Sequence, residues 1–295
     1  MKLFYNGTDI YNDVSLNYCV HEMYAEKQAD TLVLRFNDTK GIWSKWNPAD
    51  GDVLRFTEGA SDTGKMFLHS MKPENGLFTI RAMAMPKSGA TRKSKSWAGV
   101  RFLQLGNEIA ANHGLTFQNY GCTDQVYPYL RQESETDFAL FSRLCTLEVD
   151  ENGNFTYQDN RSACFGSCEV TAGSFSGTFS APDAKNTAVL RAKCIAEAQL
   201  RAPGLPASGD RVALMSNSNA EAARFAKGLL RNANKYGHTG QFSKALLTGY
   251  AAASLLQLKT EKASAWNGPV FVYKVRHDFV GNKSTLYFRD LLEGY

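Results

Sequence analysis

The chain has 295 residues, 43% of them hydrophobic and 21% charged, with a formal net charge of +4. That length suits roughly two domains and a sizeable buried core; the mild charge fixes no partner, and no run of Lys and Arg is dense enough for a nucleic-acid footprint. Ordinary composition places it among globular chains, and no apolar stretch reaches membrane-spanning length: Leu246 to Leu258 is broken by Thr248, Gly249, Ser254 and Gln257.

Residues 1 to 86 read as strands and turns. After Lys2 the apolar run is only Leu3-Phe4-Tyr5, so no signal peptide is expected. Thr31 to Phe36 alternates like a strand, and Asn37-Asp38 turns it. The turn Asn47-Pro48-Ala49-Asp50-Gly51-Asp52 feeds a strand from Val53 to Thr57. Met66 to Met71 and Leu77 to Met83 follow, separated by Pro73-Glu74-Asn75-Gly76. Short strands at this spacing predict an antiparallel barrel or sandwich.

Pro86 to Ser96 reads as a polar, basic linker carrying Lys87, Arg92, Lys93 and Lys95. Ser96 is then expected to cap a helix with Trp97, Val100, Leu103, Leu105 and Ile109 on one side, stopped at Asn112-His113-Gly114. Ser134-Glu135-Thr136-Asp137 predicts the start of a second helix with Phe138, Phe141, Leu144 and Cys145 buried. A turn at Asp150 to Gly153 leads to a strand from Asn154 to Gln158. From about Cys164 the β texture returns, in Glu169 to Thr171 and Ser174 to Ser180, with one helix from Asn219 to Tyr236.

One hairpin pattern occurs twice. Leu54 to Ser61 and Met66 to Met71 flank a turn, as do Leu256 to Ser264 and Val270 to Val275. In both, Thr-Glu-x-Ala-Ser ends the first strand, and a third strand follows, Leu77 to Arg81 and Thr285 to Arg289. The expected fold is therefore mainly β (α+β): two related antiparallel, tube-type β-barrels with a small α/β insert. The expected domains are a first barrel over 1–90, the insert over 91–163, and a second barrel with a helical insertion over 164–295. A chain with two copies of one β-domain can build a six-fold ring from three subunits.

The chemical motifs are weak. Gly59 to Lys65 matches a P-loop except at its last place, which is Met66, and the segment after it reads as a strand rather than a helix. Cys164 and Cys168 form half a zinc pattern without a second pair at suitable spacing. The six cysteines (Cys19, Cys122, Cys145, Cys164, Cys168, Cys194) are expected as free, partly buried thiols. His21, His69, His113, His238 and His277 are scattered. Gly173 to Gly177 has Phe175 where a nucleophile elbow needs serine. Glu133, Glu135 and Asp137 read as complements to a helix dipole. No catalytic, cofactor-binding or metal-binding residue is selected, and no enzyme activity or cofactor is expected.

The order of features resembles the baseplate hub proteins of contractile phage tails, the late control gene D proteins, and the hub part of type VI secretion spike proteins. The residues that carry it are Pro48-x-x-Gly51-Asp52, then Arg92-Lys-Ser-Lys-Ser-Trp97, then Ile109-Ala-x-x-His113-Gly-Leu115. The densest stretch is Gln132-Glu-Ser-Glu-Thr-Asp137-Phe-Ala-Leu-Phe141-Ser-Arg143-Leu144, followed by Asn152-Gly153-Asn-Phe-Thr-Tyr157. The resemblance covers residues 30 to 160 well, the last fifty moderately, and 160 to 245 only in texture.

The resemblance implies a homotrimer forming a pseudo-six-fold ring between a six-fold tail tube and a three-fold central spike. It implies a tube or tube-initiator protein above and a separate spike protein below, the chain ending at Tyr295 just past its final strand. Baseplate wedge or tape measure proteins are further partners. DNA can pass through the lumen without sequence-specific binding. The implied place is the tail baseplate of a virion or tail-like particle, assembled in the bacterial host cytoplasm. Two alternatives stay open: a tail-associated cell-wall hydrolase, and a β-rich glycan- or peptide-binding module using Trp43, Trp46 and Trp266.

Overall fold

The computed structural model describes residues 1–25, 28–117, 124–147, 236–258, 265 and 267–291, with short stretches between 168 and 232. In chain order the strands are β1 (Lys2–Tyr5), β2 (Thr8–Asp9), β3 (Ser15–Tyr24), β4 (Thr31–Asn37), β5 (Val53–Glu58), β6 (Ser61–Asp62), β7 (Met66–Glu74) and β8 (Leu77–Met83). Then come β9 (Arg92–Arg101), β10 (Val126–Thr136), β11 (Cys168–Val170), β12 (Gly173–Phe175), β13 (Arg191–Ala192), β14 (Glu197–Gln199) and β15 (Arg211–Ala213). The last are β16 (Thr239–Ala245), β17 (Leu255–Leu258), β18 (Gly268–Asp278) and β19 (Lys283–Asp290). The helices are α1 (Ile42–Trp46), α2 (Phe102–Asn112) and α3 (Asp137–Leu147).

Two compact units divide the chain. The first is Met1–Ala90 with Gly240–Ser254 and Val272–Phe288; the second is Thr91–Thr239 with Leu255–Phe271 and Arg289–Tyr295.

The first unit is built on one sheet, ordered β16-β19-β18-β3-β4-β8-β7-β5-β1-β2. From β18 through β3 to β8 the pairings are antiparallel, with Leu34 opposite Ile80 and Cys19, and His277 opposite His21. Period-two alternation decides which face is which. On β4, Leu32, Leu34 and Phe36 are buried while Arg35 and Asn37 are exposed; on β8, Phe78, Ile80 and Ala82 are buried and Arg81 is exposed. The apolar face joins Leu3, Leu54, Phe56, Met66 and Leu68 in one core with Trp43 and Phe279.

The turns obey local chemistry. Asn75 and Gly76, at φ 45° and 77°, close β7 onto β8 in the left-handed geometry that matches the twist of a two-residue hairpin. The short α1 begins because the Asp38 carboxylate accepts from the backbone N–H of Ile42 at 2.6 Å and of Trp43 at 3.3 Å. The two hairpins that share a sequence pattern share a local order: β5, β7 and β8 are consecutive neighbours, and so are β17, β18 and β19. At its start β18 pairs with β17, and from Lys274 onward it pairs with β3.

In the second unit β9 and β10 form a two-stranded ribbon whose buried residues, Val100, Tyr127 and Leu130, pack with α2 and α3. The sequence reading needs correction here. Arg92 to Arg101 is a strand rather than a linker and a helix start, and α2 begins only at Phe102. Ser96 does not cap it; Asp124 does, accepting from the Leu103 N–H at 3.0 Å. The expected stop at Asn112-His113-Gly114 is present, with Gly114 at φ 64°. The second helix also starts later than Ser134, which lies at φ 47° where the register of β10 shifts. Thr136 caps α3, its hydroxyl accepting from the Ala139 N–H at 3.1 Å.

The strand expected over Asn154 to Gln158 lies outside the described residues, as does the part of Ser174 to Ser180 beyond Phe175. Of the helix expected over Asn219 to Tyr236, residues 220–222, 224, 225, 228 and 232 are described and helical.

Candidate functional site

The sequence motifs that tempt a catalytic reading resolve into structure. Gly59 and Gly64, at φ 55° and 64°, shape the loop around β6, and the segment after Lys65 is β7, so no helix N-terminus faces a phosphate there. Cys19 and Cys145 are buried free thiols, and burial pushes the Cys19 thiol well up. Cys122, Cys164 and Cys194 lie outside the described residues, as does the side chain of Cys168. Among the described residues, no group of three or more His, Cys, Asp and Glu side chains could hold a metal ion.

The motifs that carry the family resemblance have structural work. In Pro48 to Asp52, the Asp52 carboxylate accepts from the Ala49 N–H at 2.7 Å, from Asn6 Nδ2 at 3.0 Å and from the Tyr5 hydroxyl. Those bonds pin the turn that feeds β5. In Gln132 to Leu144, Glu133, Glu135 and Asp137 separate instead of forming an acidic cluster. Glu133 pairs with Arg131 at 2.6 Å, Glu135 with Arg143 at 2.7 Å, and Asp137 turns inward.

Asp137 draws three side-chain donors to one carboxylate of the second unit. It is 2% exposed and accepts from Lys93 Nζ at 2.6 Å, Gln132 Nε2 at 3.0 Å and His113 Nε2 at 3.1 Å. Burial alone would raise its pKa; the bonds from Lys93, Gln132 and His113 outweigh that and hold it below the usual carboxylate range. Its seat in the first turn of α3 also complements the helix dipole.

Three of the four cations of β9 meet a carboxylate, and the fourth meets a carbonyl. Lys93 meets Asp137, Lys95 meets Glu108, Arg101 Nη1 meets Asp124 at 3.0 Å, and Arg92 Nη1 donates to the Ser134 carbonyl at 3.2 Å. A strand whose cations are matched this way is a poor footprint for a polyanion.

The histidines do not gather at one site, but two of them meet. His21 and His277 are cross-strand partners, both fully buried, and the sequence reading missed the pair because nothing local signals it. His113 joins Asp137, His238 pairs with Asp290 at 2.8 Å, and His69 Nε2 lies 2.7 Å from the Met85 carbonyl.

On the outward face of the first unit's sheet, aromatic and cationic side chains interleave. Arg35 lies over the Tyr18 ring at 5.3 Å, and Arg276 donates to the Tyr18 hydroxyl at 3.2 Å. Lys274 lies over Tyr24 at 5.0 Å and Tyr287 at 5.2 Å. Glu22 accepts from Tyr24 at 2.7 Å and pairs with Lys274 at 3.2 Å; burial would raise its pKa, and these bonds lower it. At one end of the sheet, β16 has a neighbour only on its β19 side among the described residues.

The tryptophans divide. Trp43 is 1% exposed, stacked on Phe78 with ring centroids 5.6 Å apart and close to Phe36 at 4.5 Å. Trp46 is 40% exposed and stands edge-on to Trp43 at 5.2 Å. Trp266 lies outside the described residues.

A whole-chain comparison with solved structures now bears on the fold. The 43 kDa tail protein of prophage MuSo2 from Shewanella oneidensis aligns over 99% of this chain and 98% of its own, at TM-score 0.59 and 10% identity. A tail protein from Neisseria meningitidis MC58 aligns over 98% of this chain and 95% of its own, at TM-score 0.64 and 10% identity. The fold is similar to that of these two tail proteins. At such identity the likeness is one of fold alone. No protein-family model matches the chain, and no curated protein matches it.

Proposed function

We propose that the chain is a non-enzymatic structural component of a contractile phage tail or tail-like particle, and within it the baseplate hub. Three copies form a pseudo-six-fold ring that joins the six-fold tail tube to the three-fold central spike. The single observation that carries the reading is the near end-to-end likeness of fold to two tail proteins, one of them from a prophage, neither of which leaves a large part of this chain unmatched.

The hub reading adds the ordered motifs from Pro48 to Tyr157 and the repeated hairpin. Support for an internal repeat comes from the matching local order of β5, β7 and β8 with β17, β18 and β19. In this reading the chain comprises a tube-like barrel over 1–90, an α/β insert over 91–163 and a second barrel over 164–295, whose last strands run into the sheet of the first. The partners are a tube or tube-initiator protein, a separate spike protein, and wedge or tape measure proteins.

Light scattering of the purified chain across a concentration series, alone and with a candidate central spike protein, tests the reading. A species of three chains, imaged as a ring by negative stain, supports it. A chain that stays monomeric with the spike present overturns it.

A further inference from the structure

In the first unit one neutral imidazole ties three segments together. His277 Nε2 lies 3.0 Å from the Tyr250 carbonyl, which can only accept, so Nε2 carries the proton. Nδ1 is then the bare acceptor, 2.7 Å from the Ser284 hydroxyl of β19. Ser284 Oγ in turn accepts from the Leu247 N–H at 2.8 Å, which leaves its own hydrogen for His277. The relay runs from Leu247 through Ser284 and His277 to Tyr250, and the network assigns every proton in it.

The surroundings oppose a second proton on that ring. His277 is fully buried, and the Phe279 ring lies 5.7 Å away. From β3 the facing group is His21, which would add a like charge, and Cys19 lies one pleat along the same face. Asp30, in the loop between β3 and β4, sits 3.7 Å from His21, and Asp62 of β6 also acts on His21. β19 and the 246–250 loop offer a hydroxyl and backbone groups to His277. Protonation of Nδ1 would reverse the Ser284 hydroxyl and leave a buried cation beside a second histidine.

We infer that His277 is the pin of an acid-released latch: its protonation frees the 246–254 segment with β16, β18 and β19 from β3, while β4, β8 and β7 stay paired. The direction follows from linkage. Burial holds the His277 pKa down to about 4, against 6.5 when exposed, so the folded latch prefers the neutral ring. Its stabilisation is complete above the exposed value, declines as the pH falls from 6.5 towards 4, and changes no further below that.

Hydrogen–deuterium exchange of the whole chain at pH 7.5 and 4.5, with labelling times scaled to equal intrinsic rates, reads the latch directly. Opening of 246–254 and 272–288 should increase roughly fifty-fold or more, with peptides of β4 and β8 unchanged. His277→Gln keeps a donor for Tyr250 and an acceptor for Ser284 but cannot titrate, so the acid step should disappear. Uniform loss of protection, or an unchanged step in the variant, overturns the inference. Exchange at the His277 ring carbon in the unsubstituted chain needs no variant: a midpoint near 4 supports the latch, and one near 6.5 overturns it.

Discussion

The ring of Phe288 lies across the bare backbone of Gly240, so close that a Cβ built there would fall 2.6 Å from two ring carbons. The two residues occupy neighbouring strands, β19 and β16, and the aromatic ring fills the space a side chain would take. Gly240→Val should therefore displace the ring and weaken the sheet edge, costing about 1–3 kcal/mol in urea denaturation. Gly249→Ala, where a Cβ meets nothing within 4 Å, should change stability by no more than about 0.5 kcal/mol.

Asp137 gathers three donors of the second unit, so Asp137→Ala leaves Lys93, Gln132 and His113 without their shared acceptor. The expected loss is about 2–4 kcal/mol of unfolding free energy, read from denaturant unfolding of that unit. The pH dependence has a definite sign. Because the folded carboxyl titrates below its ordinary value, its contribution is present above the unfolded carboxylate pKa and fades as the pH falls through the folded one. The variant should lack that part of the acid limb, seen by comparing denaturation curves from pH 6 to pH 2.

Trp43 and Trp46 separate packing from recognition. Trp43→Ala empties the aromatic core beside Phe36 and Phe78 and should cost about 3–5 kcal/mol. Trp46→Ala should cost less than about 1 kcal/mol and leave oligomer mass unchanged. Loss of binding to cell-wall glycans in a well-folded Trp46 variant would favour the binding-module alternative over the tail hub.

Cys19 should resist alkylation by iodoacetamide at pH 8 in the folded chain, since burial, and then the Asp278 charge, push its thiol well up. Peptide mapping should show it modified only once denaturant opens β3. Labelling at the rate of a free thiol under native conditions would contradict the packing described for β3.

Much of the first unit is legible in sequence because its strands follow the one-face-in, one-face-out rule: Thr31 to Phe36 and Leu77 to Met83 alternate cleanly. The β9 strand is not legible. Its cations mimic a solvated linker, and the carboxylates that neutralise them arrive from Glu108, Asp124 and Asp137. The start of α2 fails for a related reason, since its cap comes from Asp124 and not from a residue next to the helix. The His21–His277 pair is invisible to any local reading because the partners stand near opposite ends of the chain. The reading of Gly59 to Lys65 as something other than a P-loop succeeds because it depends only on the strand that directly follows.

The pairing of β3 with β18 also sets a timetable for biosynthesis. Tyr18 and Arg276 are bonded although 258 residues apart. At a ribosomal pace of 5–20 residues per second, β3 emerges roughly 13–50 seconds before its partner. During that interval the N-terminal strands can pair among themselves, but the Val20 to Tyr24 edge has nothing to hold. A nascent chain with a bare strand edge is open to foreign strands, so the vulnerable period of this protein is its own synthesis, and it ends only when β18 arrives.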